Sequence, residues 1–224
     1  MRRLPYLLLT MLAGLGVALP AQAQSLEDAV LAEINFARTQ PREYARDLRR
    51  YRQSFEGRII ADERGERMTR EGIRPVDEAI AFLERQQPLP ALGHGAVLAI
   101  AAADHAMEQG AHGTRGHIST NGATPARRVV ARGGGRYVSE TIAYGEDDPV
   151  AIVRSLIVDD GVPSRTHRIV LFMPYLRYAG VACGPHAAYD FLCVMDYSQT
   201  ADGNAPRAPS LARSDYLAEN GAAF

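Results

Sequence analysis

Hydrophobic positions along the chain recur in two rhythms, a helical one through the first half and a mixed one after it. Leu26, Val30, Leu31 and Ile34 fall at helical spacing behind Ser25-Leu26-Glu27-Asp28, a capping-box pattern with Ser25 as N-cap. Thr39-Gln40-Pro41 breaks that pattern. A second helix is expected from Arg42 to about Phe55, rich in Arg and apolar only along Tyr44, Leu48 and Tyr51. Residues 56–73 are charged and carry Gly57, Gly65 and Gly72, which predicts an exposed excursion. Pro75 suits the first turn of a helix bearing Val76, Ile80 and Leu83, and Pro88-Leu89-Pro90 ends it. The stretch from Leu92 to Met107 reads as the most buried helix, since Val97, Leu98, Ile100 and the alanines after it leave little polar face. Gly110, Gly113 and Gly116 then predict a loop, with His105 packed at the helix end and His112 inside the loop.

A short helix is expected over 125–131, closed by Gly133-Gly134-Gly135. Residues 136–144 read as a strand with Val138, Glu140, Ile142 and Tyr144 on one face. Pro149 opens a helix that runs through Val158, and Gly161 and Pro163 stop it. Ser164 is expected to cap a further helix over 165–172, which Pro174 ends. Residues 178–182 and 191–197 read as the last strands, and the Ala, Gly, Pro and Asn-rich segment 201–224 as a loose tail. Helices before, between and around a few strands point to an α+β fold or a three-layer sandwich.

The first residues change the picture of where this fold works. Met-Arg-Arg, an apolar run from Leu4 to Leu19 and Ala21-Gln22-Ala23 form a secretory signal pattern over 1–23, with cleavage expected after Ala23. The run is shorter than the ~20 apolar residues that span a bilayer, so an uncleaved anchor is the weaker reading. Secretion or a periplasmic location follows, with no transmembrane segment in the mature chain. Losing Arg2 and Arg3 takes the formal charge from −1 to −3, and every basic residue is Arg. So small a net charge on about two hundred residues draws the protein to neither nucleic acid nor anionic lipid. Two cysteines in an exported chain suggest one disulfide. Cys183 and Cys193 flank Gly-Pro-His-Ala-Ala-Tyr-Asp within β-rich runs, so a hairpin would bring them opposite each other.

Glu140 is the sharpest chemical clue. Burial of the face it shares with Val138 and Ile142 buries its carboxylate, which then needs a partner or a proton. Asp159 and Asp160 lie at a helix C-terminus, which disfavours anions, so Arg165, Arg168, a protonated histidine or a metal should compensate. Asp160 reads as a turn residue satisfying backbone groups, and Asp159 as the cavity-facing acid. His167 falls in the first turn of its helix, a position that suits the neutral, metal-competent imidazole. His117 follows a glycine in a loop and is free to point inward. Together with Glu140 the two imidazoles offer donors enough for a Zn²⁺ site with an open position, although their spacing matches no local metal motif. No Gly-x-Ser-x-Gly elbow, phosphate loop or His-Glu-x-x-His is present.

In order along the chain, Glu33-Ile-Asn-Phe-Ala-Arg-Thr-Gln-Pro41, His117-Ile-Ser, Ser139-Glu140-Thr-Ile-Ala-Tyr-Gly145, Gly161-Val-Pro-Ser-Arg-Thr-His167-Arg-Ile and Phe172-Met-Pro-Tyr-Leu-Arg-Tyr-Ala-Gly-Val181 together resemble the CAP superfamily. That superfamily, also called SCP domains, comprises the cysteine-rich secretory proteins, antigen 5 and pathogenesis-related 1. The resemblance covers roughly residues 26–200 and implies a bacterial-type member. It implies a three-layer α-β-α sandwich over 24–200, with the helices of 24–90 as an N-terminal extension. It also implies a cleft in which His117, Glu140, Asp159 and His167 face one another. Ser139 and Thr141 stand where the family pattern has Gly and Asn, and Thr166 stands where it has Gly; the titratable groups are kept.

The function implied is a secreted binding protein, a monomer or weak dimer without established catalysis. Its cleft would take a divalent, Zn-like cation, with a small-molecule, lipid or cell-wall ligand as partner. Two alternatives stand beside it: a metal-dependent hydrolase with Glu140 as general base, and a non-catalytic interaction module.

Overall fold

The computed structural model describes residues 24–62 and 65–206; the expected leader and the chain beyond Pro206 lie outside the described residues. Ser25 Oγ accepts from Asp28 N at 3.1 Å and starts α1 (Leu26–Thr39) as the capping pattern predicts. Pro41 opens α2 (Pro41–Arg52), which ends three residues before the predicted Phe55. The expected excursion over 56–73 is a small antiparallel sheet, β1 (Phe55–Glu56), β2 (Ile59–Asp62) and β3 (Gly65–Met68). Its strands are short and mostly exposed; among their residues whose burial is described Ile60 alone is fully buried, so no alternation of apolar residues announced them.

Next come α3 (Arg74–Arg85), β4 (Gly93–His94), α4 (Ala96–His112) and α5 (Pro125–Ala131). They are followed by β5 (Ser139–Tyr144), α6 (Pro149–Val158), α7 (Thr166–Leu171), β6 (Tyr178–His186) and β7 (Asp190–Ser198). β5 begins later than predicted because Gly135 N and Tyr137 N donate to Asp202 O and Gly203 O. Those bonds dock the first residues of the segment expected to be loose. His112, expected in a loop, is the last residue of α4, and Gly113 terminates that helix in the left-handed conformation.

The main sheet has the order β4-β6-β7-β5, with β4 parallel to β6 and the other pairings antiparallel. Cys183 and Cys193 sit opposite each other across the β6–β7 hairpin and are disulfide-bonded. Strand alternation sends each sheet face into a different helical layer. On β7, Cys193, Met195 and Tyr197 pack with Val30 and Ile34 of α1 and Ile152 and Leu156 of α6. Leu192 and Val194 pack with Ala102 and Ala106 of α4 on the other side. The core that holds α1 and α6 also includes Tyr44, Leu48, Val76 and Leu83, which tie α2 and α3 to it. The architecture is therefore an α+β sandwich of helices, sheet and helices.

Close approach of α4 to β6 depends on two glycines. A Cβ on Gly180 would overlap the backbone of Leu98 and Ala99, and one on Gly110 would overlap the carbonyl of Pro185. Gly110 thus serves helix–strand packing inside α4 rather than the loop expected there. Gly180→Ala should destabilise the fold by about 1–3 kcal/mol through overpacking. Gly184→Ala, where a Cβ meets nothing within 4 Å, should stay within about 0.5 kcal/mol of wild type. Urea unfolding of the two variants checks the pair.

Candidate functional site

The first half of the site is built on β5. Glu140 points into the α4–α5 layer with its side chain 1% exposed. Its Oε2 accepts from Arg128 Nη2 of α5, and its Oε1 bonds His117 Nδ1 at 2.8 Å. Arg128 also donates to His117 O at 3.1 Å, so one guanidinium fixes the carboxylate and the loop that carries the imidazole. That loop is further held from α4. His105, expected as helix-end packing, is fully buried within α4 and bonds Gly116 O through Nε2 at 2.9 Å and Ser119 Oγ through Nδ1 at 3.2 Å. Gly116 N donates to Tyr144 Oη at 2.9 Å. Glu108 receives Thr120 N and Oγ1. Burial pushes that carboxyl up, but hydrogen bonds from Thr120 and Ser119 outweigh it and hold it at about 2.

Behind Glu140 lies a second buried acid. Asp196 of β7 is its cross-strand partner, is fully buried, and has neither carboxyl oxygen hydrogen-bonded to a donor in the protein. Burial first, then the neighbouring Glu140 carboxylate, push the Asp196 pKa well above the usual range. A proton on Asp196 would allow a hydrogen bond to Glu140 that two ionised carboxylates cannot make.

The second half lies where α6 hands over to α7. Asp159, the C-cap of α6, has left-handed backbone (φ 59°). Its Oδ2 accepts from His167 N at 2.9 Å, and its Oδ1 bonds His167 Nδ1 at 2.6 Å. Asp159 therefore caps α7, a role the sequence reading gave to Ser164; Ser164 Oγ instead pairs with Thr166 Oγ1 at 2.9 Å. The carbonyls at the end of α6 take buried arginines. Arg168 donates to Ile157 O and Val158 O at 2.5 and 3.0 Å, and Arg165 to Asp159 O at 2.9 Å. Burial lowers the Arg168 pKa to about 10. Asp160 satisfies backbone groups as a turn acid should, but they belong to Arg70 and Glu71, at 2.7 and 2.8 Å.

Both halves border β5, the edge strand of the sheet. Glu140 is on it, α7 packs against it, and α5 brings Arg128 to it. The four expected donors nevertheless form two pairs rather than one ligand set. Among the described residues no three His, Cys, Asp or Glu side chains come together in a way that could hold a metal ion. Each carboxylate is taken up by an imidazole Nδ1, which leaves Nε2 of His117 and of His167 as the nitrogen available to a ligand. The side chain of His117 is 49% exposed and that of His167 24%. A cavity of about 930 Å³ lies elsewhere, lined by alanines of α4 and by β6 and bordered by Glu27.

Two members of the site escaped the sequence reading. Arg128 lies in the short helix expected over 125–131, and nothing local marks it as the partner of Glu140. Asp196 left a signal, a lone acid between Met195 and Tyr197 in an apolar strand, but its register with Glu140 is a property of the folded sheet.

The raised Asp196 pKa has a measurable consequence. A carboxyl whose folded pKa is raised contributes fully below its unfolded value near 3.9 and loses stability as pH rises above it. Asp196→Asn, an uncharged mimic, should be more stable than wild type at pH 7. That gap should close as pH falls toward 4, as thermal melts across this range would show.

Comparison with known proteins follows the same lines. The family model described as CAP, cysteine-rich secretory protein family, matches residues 32–197. A crystal structure of an extracellular protein containing a SCP domain from Bacillus anthracis str. Ames is similar at 19% identity, with a TM-score of 0.42. The likeness covers 57% of this chain and 38% of that one, so the match spans well under half of that relative. Among curated proteins nothing matches. With the family model covering most of the chain, from α1 to β7, the protein belongs to the CAP, or cysteine-rich secretory protein, family.

Proposed function

We propose that this CAP domain is an exported binding module in which Nε2 of His117 and Nε2 of His167 hold a Zn²⁺-like divalent cation at the edge of β5. The observation that carries the reading is the pairing of each imidazole Nδ1 with a carboxylate, at 2.8 Å for Glu140 and 2.6 Å for Asp159. A carboxylate on Nδ1 selects the Nδ1–H tautomer, orients the ring and raises the basicity of Nε2. Glu140 and Asp159 then act behind the ligands rather than as ligands. Two imidazoles leave the remaining positions of a tetrahedral ion to solvent or to a bound small molecule.

Export is supported by the Cys183–Cys193 disulfide and by the leader pattern over 1–23. An apolar or lipid-like ligand suits the alanine-lined cavity between α4 and β6 better than the polar surroundings of the histidines. The hydrolase reading has less support, because a general base must reach its substrate and the Glu140 side chain is 1% exposed. Both oxygens of Glu140 are engaged, one by His117 and one by Arg128.

Zn²⁺ titration calorimetry on the chain beginning at Gln24 tests the proposal. One ion per chain is expected, with His117→Ala and His167→Ala each abolishing uptake while circular dichroism stays native. Glu140→Gln should weaken binding about 10–100-fold. No heat with the wild-type chain would sink the reading, and ester or peptide turnover lost in Glu140→Gln would favour the hydrolase.

A further inference from the structure

The charged segment after β3 reaches the site from about ninety residues away. It meets the turn after α6 through two reciprocal locks. The Asp160 carboxylate accepts from Arg70 N and Glu71 N, and the Glu71 carboxylate accepts from Gly161 N at 2.8 Å. Glu71 also grips Arg165 in a two-point fork, Oε1 to Nη1 at 2.6 Å and Oε2 to Nη2 at 2.8 Å. Arg165 is only 8% exposed, and Glu78 of α3 accepts from its Nε at 2.8 Å. The same guanidinium donates inward to Asp159 O and Val162 O, at 2.9 and 3.0 Å.

These contacts converge on backbone that would not hold its shape unaided. Asp159, Gly161 and Arg165 all have positive φ, at 59°, 80° and 52°. For the two non-glycine residues that conformation is sterically disfavoured and persists only where the surroundings impose it. Glycine at 161 suits the positive φ, and a Cβ there would also displace the Arg70 side chain. The left-handed turn at Asp159 is what lets one short carboxylate reach both the backbone N and Nδ1 of His167. The Arg165 fork holds the Glu71 carboxyl down at about 2, so the clasp is charged across the neutral range.

We propose that Glu71 is a positioning residue for His167: through Gly161 N and Arg165 it fixes the turn from which Asp159 holds the imidazole Nδ1. The purpose of this arrangement rests on the cation site proposed above, whereas its geometry does not. A surface ion pair between residues so distant in the chain would leave the ring of His167 indifferent to its loss.

Ring ¹⁵N spectra of the cation-free chain, compared with Glu71→Gln, decide the matter. In wild type His167 should be almost wholly the Nδ1–H tautomer. In Glu71→Gln both tautomers should appear at His167 while the His117 signals stay in place, and Zn²⁺ affinity should fall about tenfold. Asp160→Asn, which loosens the reciprocal lock, should shift His167 in the same direction; it supplies the decision if Glu71→Gln does not fold. His167 spectra superimposable on wild type would overturn the inference, as would equal changes at His117, which mark a general structural effect. If the wild-type chain takes up no Zn²⁺, the cation reading falls while the ring spectra still judge the role of Glu71.

Discussion

An acid on the inward face of an edge strand is the constraint around which this domain is arranged. Glu140 cannot be hydrated where β5 places it, with its side chain 1% exposed, so the fold must supply its partners. Arg128 comes from α5 and His117 from the loop after α4, and Asp196 stands opposite on the neighbouring strand. Removing one member of a buried ion pair costs about 3–5 kcal/mol, whereas the intact pair adds little net stability. The value of the Glu140–Arg128 pair therefore lies in where it holds the loop. Arg128 grips His117 O as well as the carboxylate, so the imidazole inherits its position from the sheet.

The other imidazole is held by a different logic. His167 stands on a helix of only six residues, too short to orient anything by itself. Its position comes from the end of α6, where Arg165 and Arg168 take the last carbonyls and Asp159 turns back to cap α7. A sheet carries one half of the site and a clasped turn carries the other. The clasp recruits a segment that otherwise builds the small β1–β3 sheet, which gives that segment a reason beyond covering Ile60.

Local signals made much of this legible beforehand. α1, α5 and α6 were readable because Ser25 and the proline openings at Pro125 and Pro149 act within one turn of the helix they start. The hairpin disulfide was readable from two cysteines within one short β-rich stretch. Burial of Glu140 was readable from its apolar strand neighbours, and Asp159 from its place at the end of a helical stripe. What stayed hidden depends on contacts between distant segments. Arg128 and Asp196 matter only through the register and layer they reach, and Asp160 and Glu71 only because a charged segment folds back by ninety residues. Ser164 looked like the cap of α7 because the true cap lies seven residues before that helix and acts only through the αL turn.

Side-chain length explains why a short acid serves one pair and a long acid the other. Glu140 starts from a fixed strand and must cross from the sheet to both Arg128 and His117, a span its extra methylene allows. Asp159 already sits in the turn beside His167, and its two oxygens divide between the backbone N and the ring Nδ1 of one residue. A longer acid there would carry its oxygens past the backbone N and lose the cap. Both arrangements set a carboxylate against the Nδ1 side of an imidazole, the geometry on which the proposed cation site rests. A cation held by two such imidazoles keeps most of its coordination sphere for solvent or ligand, which suits binding and exchange better than the closed four-ligand site of a structural metal.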